Sequence, residues 1–479
     1  MRGVRKVNKS KRLPTIPEVL FTLIGFVVIM FSFIVILDIP IQLALLTTWF
    51  LIILVGLRIG YSYKEMQDGL LKGIYDGSEA VLILISVGAL IGTWIVGGVV
   101  PAIIYYGLSI IHPSIFLLAA FVVCSITSLA TGTSFGSAGT AGIAMMGIGT
   151  SFGLPVALVA GAVISGCYVG DKLSPLSDTT VMTASLSKVN IIEHIKSMLY
   201  VSGPAYIIAG ILFLVTGLFF IDNSGDVSQA QATMSALDDF FNISWYMLIP
   251  AAVVIVLLAL KMPSIPVILL GAFLGTIWAS LFQGVPFLEA FNVLYSGGEI
   301  ASGVEFIDEL LNRGGIVFML DVIVLILFAL GVGGLMEKTG ILRAICVKML
   351  SWANNSGRIT LSTIISGFFG NFFGGAAYVS VITASKITEE SYEAHHIDRR
   401  ILSRNTEAGG TLTTPMVPWS DGGVFMATTL GISTLSYLPF LWFNFLAIII
   451  TMIYGFTNKF IWYTKQDSTQ KETEEKFAN

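Results

Sequence analysis

Two stretches of the chain place acids, hydroxyls, glycine and proline where an apolar helix would otherwise run. The first, 128–140, reads Ser-Leu-Ala-Thr-Gly-Thr-Ser-Phe-Gly-Ser-Ala-Gly-Thr; the second, 170–180, reads Gly-Asp-Lys-Leu-Ser-Pro-Leu-Ser-Asp-Thr-Thr. The second half of the chain echoes them in 369–376 and in 405–421, which runs from Asn405 through Pro415 to Asp421. Unwinding a helix frees backbone carbonyls, and at membrane depth these are tolerated only where they line a cavity or hold a ligand. Carboxylates, hydroxyls and carbonyls together are the ligands a hard cation wants, and sodium is such a cation. Asp178 is the first-choice coordinating carboxylate, because Pro175 breaks the helix ahead of it and Ser177 and Thr179 flank it. Asp171, Ser174, Thr133 and Ser134 from the first half, and Asn371, Glu407 and Asp421 from the second, complete the candidate ion-binding set. Each has a structural rival. Asp178 can serve as an N-cap for a helix beginning near Thr179, Asp171 can pair with Lys172, and Asp421 can sit in a turn with Gly422 and Gly423. Thr133, Ser134 and Asn371 can pack helices together as small polar residues do. An ionisable side chain inside a span nevertheless costs at least about 2.5 kcal/mol, so its retention points to function. A desolvated carboxylate holds a proton tightly and a bound sodium expels it, so one such group under alternating access exchanges the two ions.

The elements that must position these residues are membrane helices. The chain has 479 residues, 55% of them hydrophobic and only 12% charged. A soluble domain carries about 25% charged residues, too many for this composition to match. Apolar runs recur at 18–37, 39–57, 80–96, 115–130, 156–169, 198–221, 245–260, 265–282, 316–336, 359–373, 411–430 and 435–456. The expected fold class is therefore an all-α polytopic membrane protein of about 12 helix segments, in contact with membrane lipid. The ten-residue alternation of a β-barrel is missing. A net charge of −4 without a basic stripe excludes nucleic acid as a partner. Cys124, Cys167 and Cys346 lie far apart in apolar stretches and have no metal spacing. An intramembrane aspartyl protease also uses paired acids, but its Gly-x-Gly-Asp motif fails where Tyr168 precedes Gly170-Asp171, so no enzyme is expected. No cofactor is expected either, the ions being cargo.

Arg58, Lys64 and Lys72, then Lys188 and Lys196, then Lys459 and Lys465 mark cytoplasmic loops. The aspartate-rich 222–242 and the acidic 283–315 read as external. This gives a basic cytoplasmic arm at 1–16, a first repeat with its connecting helix at 17–221, an external loop at 222–243, a second repeat at 244–457 and a cytoplasmic tail at 458–479. Both termini are expected in the cytoplasm, and a homodimer is compatible with this layout. Shifting the chain by 242 residues lays Gly98 on Gly340, Gly132 on Gly374 and Glu79 on Asp321; one residue more lays Pro175 and Asp178 on Pro418 and Asp421. Asp321, inside an apolar run, is expected to be buried. The matching loops fall on opposite sides by charge, so the repeats are inverted, each with discontinuous helices, and the binding site is expected where they meet.

At these motifs the chain resembles the NhaC-type sodium/proton antiporter family. The resemblance rests on 131–140 (Thr-Gly-Thr-Ser-Phe-Gly-Ser-Ala-Gly-Thr), on 164–180, from Ile164-Ser165-Gly166 to Asp178-Thr179-Thr180, and on Pro418-Trp419 with its glycine-rich sequel, and it runs from about residue 17 to 456. Phe135 stands where Trp is expected and Cys167 where a small residue is usual. The resemblance implies efflux of cytoplasmic Na+ in exchange for external H+ across a bacterial cytoplasmic membrane. The family also includes exchangers of small carboxylates, malate and lactate, coupled to Na+ and H+; in that alternative Lys172 or Asn371 would hold the organic anion.

Overall fold

The computed structural model describes residues 11–224, 227–299, 308, 311–312 and 314–464. The expected arm before residue 11, most of the tail and the centre of the acidic 283–315 segment lie outside the described residues. The chain is an all-helical polytopic membrane protein built from two inverted-topology repeats with broken helices. Among the described residues, eight helices are long and apolar enough to span, or up to ten if two sharply bent pairs each count as one. The first, Ile16–Phe31, starts at Thr15, where Glu18 closes a capping box and Pro17 occupies the first turn. Arg12 forks onto the Glu18 carboxylate at 2.6 and 2.7 Å, tying the chain entry to the helix start.

Several expected boundaries move. The segment 222–243, expected as an external loop, is largely helical, because Ile191–Ser224 runs on past residue 221 and Val227–Phe240 forms a helix of its own. The single segment expected at 411–430 is a 3-10 turn, Thr411–Met416, then a turn closed by the Ser420 amide on the Val417 carbonyl, then the helix Asp421–Leu430. Pro415 and Pro418, neither able to donate to a helical ladder, account for that break. Asp321 is exposed, not buried, on the helix Ile316–Thr339.

Each repeat contains the same two interruptions. In the first, Phe116–Thr131 ends at Gly132 with φ of 73°, and Thr133 is extended before the next helical turn. Its counterpart, Ser356–Gly374, ends at Gly375 with φ of 68°, and Ala376 is extended before Ala377–Ala394. The second interruption separates Val156–Leu173 from Asp178–Leu186, and Thr411–Met416 from Asp421–Leu430. Gly132 therefore corresponds to Gly375, not to Gly374. Only a glycine adopts this left-handed C-cap without strain, and Gly375 is the residue that adopts it. Gly98 and Gly340, at φ of 78° and 71°, retain the 242-residue offset, so the one-residue slip falls between the two pairs.

The halves join by close helix approach. The helix Tyr63–Asp76 lies against Ile316–Thr339 where Gly69 and Gly73 face Gly334. A Cβ on Gly334 would stand 2.3 Å from the Gly69 carbonyl oxygen, so no larger residue fits without separating the helices. Replacing Gly334 by Val is expected to destabilise the detergent-solubilised protein by about 1–3 kcal/mol. A thermal unfolding curve with a midpoint matching the parent would contradict this packing.

Candidate functional site

Proline sets the local geometry of the site. Helix Val156–Leu173 cannot continue through Pro175, so the Asp171 carbonyl loses the N–H that a helix would supply four residues on. Three hydroxyls take its place: Ser177, Thr179 and Thr180 donate to the Asp171 carbonyl at 3.3, 3.0 and 2.6 Å. In the second repeat Pro418 stands four residues after Thr414, and the Ser420 hydroxyl donates to the Thr414 carbonyl at 2.5 Å. The crossings above the breaks also match. Ser128 donates to the Cys167 carbonyl, and Asn371 Nδ2 donates to the Gly410 carbonyl at 2.6 Å.

These breaks open onto one cavity of about 310 Å³. Asp171, Asp178, Thr133, Ser134, Ser177 and Thr179 reach it from the first repeat, and Thr411, Thr414 and Asp421 from the second. Asp76 and Glu79 line it as well, giving, among the described residues, five carboxylates and no lysine, arginine or histidine on the wall. Phe135 stacks on Phe425 with ring centroids 4.2 Å apart, joining the repeats beside the cavity.

The three central acids are held differently. Asp171 is buried; its carboxylate accepts the Ser134 amide at 2.8 Å and the Ser134 hydroxyl at 2.5 Å. Asp421 is buried; its carboxylate accepts the Ala377 amide at 3.2 and 3.3 Å and the Gly422 amide at 2.7 Å. Ser134 and Ala377 are equivalent positions in the two repeats, so the same amide is held by acids that are not equivalent. Asp178 is exposed to the cavity and makes no hydrogen bond among the described residues. It is the first helical residue and Ser177 is the N-cap, which leaves its carboxylate free.

Other candidates stand away from the wall. Ser174 donates to the Leu129 carbonyl at 2.9 Å and fixes the break from behind. Asn371 is occupied by Gly410 and by Thr413 at 2.8 Å, so its amide is a helix-crossing clamp. Glu407 and Lys172 are fully buried and neither belongs to the cavity lining. The rival ion pair between Asp171 and Lys172 does not form among the described residues; Ser134 takes the carboxylate instead. Sequence reasoning missed Asp76, Glu79, Thr411 and Thr414. Two acids astride Gly77, where one helix ends and the next begins, were the available signal.

The profile of the Na+/H+ antiporter family matches residues 166–459. The chain is 56% identical over 464 residues to the Malate-2H(+)/Na(+)-lactate antiporter of Bacillus subtilis, covering 97% of this chain and 99% of that one. It is 35% identical over 401 residues to the Na(+)/H(+) antiporter NhaC of Alkalihalophilus pseudofirmus, with 84% and 86% covered. It is 34% identical over 407 residues to the Na(+)/H(+) antiporter NhaC of Bacillus subtilis, with 84% and 89% covered.

Ser134 gives Asp171 two of its hydrogen bonds, and Ala at this position keeps the amide and removes the hydroxyl. The expected result for Ser134→Ala is an apparent cation affinity weakened by about tenfold, the worth of one hydrogen bond to a charged group. Transport titrated against sodium in reconstituted vesicles measures it, and an unchanged half-saturation concentration contradicts the role given to Ser134.

Proposed function

The chain belongs to the Na+/H+ antiporter family and is a multi-pass membrane antiporter, and from that premise we propose that it exchanges small hydroxycarboxylates, one entering with protons as another leaves with sodium. The carrying observation is the cavity: about 310 Å³ walled by five carboxylates and no cation. That volume exceeds what a sodium ion needs and falls at the lower end of small-molecule sites, which run from about 300 to 1,000 Å³. An organic anion beside such a wall is repelled by about 4 kcal/mol for each unit charge at 4 Å, taking an effective dielectric of about 20. It enters only if cations come with it. A dianion bringing two protons, or a monoanion bringing one sodium ion, is a neutral load. The wall therefore makes coupling obligatory, and no basic residue is needed to hold the anion. The 56% identity to a malate/lactate exchanger over nearly the whole of both chains supports this cargo.

Asp178 is the cation's first ligand in this reading, because its carboxylate is free and faces the cavity. Asp171 lies alongside, oriented by Ser134, and the Ser177 and Thr179 oxygens lie next to both. Asp76, Glu79 and Ser264 line the same cavity, and each lies close in sequence to a basic residue, Lys72 or Lys261. By the positive-inside rule this is the cytoplasmic face, and both termini share it.

The second reading, exchange of sodium for protons alone, is favoured by the same acid wall and by the two NhaC relatives. Everted vesicles separate the two. Under the proposal, vesicles loaded with lactate and sodium take up malate with protons, and sodium alone moves few protons; a full proton signal on sodium alone overturns the carboxylate cargo. In the same assay Asp178→Asn is expected to lower exchange by at least about a hundredfold with the protein still inserted. Retained exchange removes Asp178 from the mechanism.

A further inference from the structure

Behind the cavity wall lies a second set of polar side chains that cation and anion binding leaves unused. Glu407 is fully buried on Arg399–Gly409, and among the described residues neither carboxylate oxygen has a well-formed hydrogen bond. The hydroxyls of Thr183 and Thr411 stand against it, both unbonded in the same way. Lys172, on Val156–Leu173, is fully buried with no partner at Nζ, and its charge and that of Glu407 act on each other. The large majority of buried side-chain polar groups in folded proteins are paired, so a cluster this poorly paired calls for an explanation.

The set connects two places. Inward, Thr411 is both a neighbour of Glu407 and part of the cavity wall. Outward, the charge of Lys172 acts on His194, which is buried with Nε2 unbonded and Nδ1 2.9 Å from the Ser403 hydroxyl. Ser403 donates to the Arg400 carbonyl at 3.0 Å, and Arg400 pairs with Glu193 and Asp398 at the basic face. A series of polar groups thus runs from that face past Ser403, His194 and Lys172 to Glu407, and from there through Thr411 to the cavity.

The charged neighbours of Glu407 come from few elements. Val156–Leu173 supplies Lys172 and Asp171, and Asp178–Leu186 supplies the neutral Thr183. Arg404, on the same helix as Glu407, acts on Lys172; Tyr392 and Tyr454, from Ala377–Ala394 and Trp442–Thr457, act on Arg404. His194 of Ile191–Ser224 reaches the group through Lys172.

We propose that Glu407 is the proton carrier of the exchange, reached from the basic face past Ser403 and His194, on a route separate from the cavity mouth at Asp76 and Glu79. The inference rests on the reading of the protein as a cation-coupled antiporter. With Glu407 ionised, the group formed by Asp171, Lys172 and Glu407 carries a net charge of −1, which a sodium ion at Asp171 balances. A proton arriving on the Glu407 carboxylate brings the group to neutrality, and the sodium ion is released to the cavity. That proton enters from the opposite side of the membrane through the cavity and Thr411; when access returns to the basic face and sodium binds again, it leaves past His194 and Ser403 to that face. A lone buried charge is costly, so the low-energy states hold one proton or one sodium ion and not both.

The test separates cation exchange from proton coupling. Purified protein is reconstituted with lactate on both sides, and two fluxes are compared: radiolabelled sodium against unlabelled sodium, and sodium accumulation driven by a pH gradient. Glu407→Gln mimics the protonated carboxyl, so it is expected to raise the sodium concentration needed for the first by at least about tenfold at every pH and to lower the second by at least about tenfold. His194→Phe is expected to slow the pH-driven flux and spare the sodium counterflow, which keeps the inference testable if Glu407→Gln does not fold. Glu407→Asp, which retains a carboxylate, restores coupling. Two results overturn the inference: pH-driven accumulation that survives Glu407→Gln, and a sodium counterflow in folded Glu407→Gln whose half-saturation concentration matches the parent. Parent protein that shows neither flux counts against the antiport reading itself, and so is distinguishable from both.

Discussion

A backbone carbonyl deprived of its helical donor has no water to turn to within the hydrocarbon of a bilayer. Everything at this site follows from how the chain meets that constraint at Pro175 and Pro418. Each proline strips a donor from the carbonyl four residues earlier, and in each repeat a serine at the helix break replaces it. The first repeat adds Thr179 and Thr180 to the same carbonyl. The clustering of hydroxyls near Asp171 and Asp178 is thus first a structural necessity. Its oxygen lone pairs are then available to a cation at no further cost.

The two halves meet this constraint with one plan and different residues. Ser128 and Asn371 clamp equivalent helix crossings, and Gly132 and Gly375 end equivalent helices in the left-handed conformation. Where the first repeat has Asp171 the second has Thr414, and the amide that Asp171 holds in one half is held by Asp421 in the other. The first half therefore carries two acids at its break and the second only one. The acids of the breaks are therefore weighted towards the first half, although the cavity belongs to both.

Much of this was legible in the sequence because it rests on residue types with strong local consequences. Proline and glycine punctuated the helices, aspartate in an apolar chain stood out, and a repeated Pro-x-Ser-Asp box tied the halves together. The repeat register was read one residue short at Gly374 because adjacent glycines are indistinguishable until backbone torsions separate them. Asp76 and Glu79 were passed over because they lie at a junction of two helices that looks like an ordinary loop. Glu407 was grouped with the cavity acids because one-dimensional spacing does not reveal which face of a helix looks inward; on Arg399–Gly409 it looks away, towards Lys172. The helicity of 227–240 was hidden by its aspartates, which sit at the end of that helix and not in a loop.

The cation-free wall of the cavity behaves like a grain of cation-exchange resin set into a low-dielectric matrix. Field lines from fixed negative groups are focused by apolar surroundings, so counterions accumulate there well above their level in the surrounding water. On the proposed reading, ion supply to the carrier is accordingly buffered, and a fall in bulk sodium is felt at the cavity acids only in attenuated form.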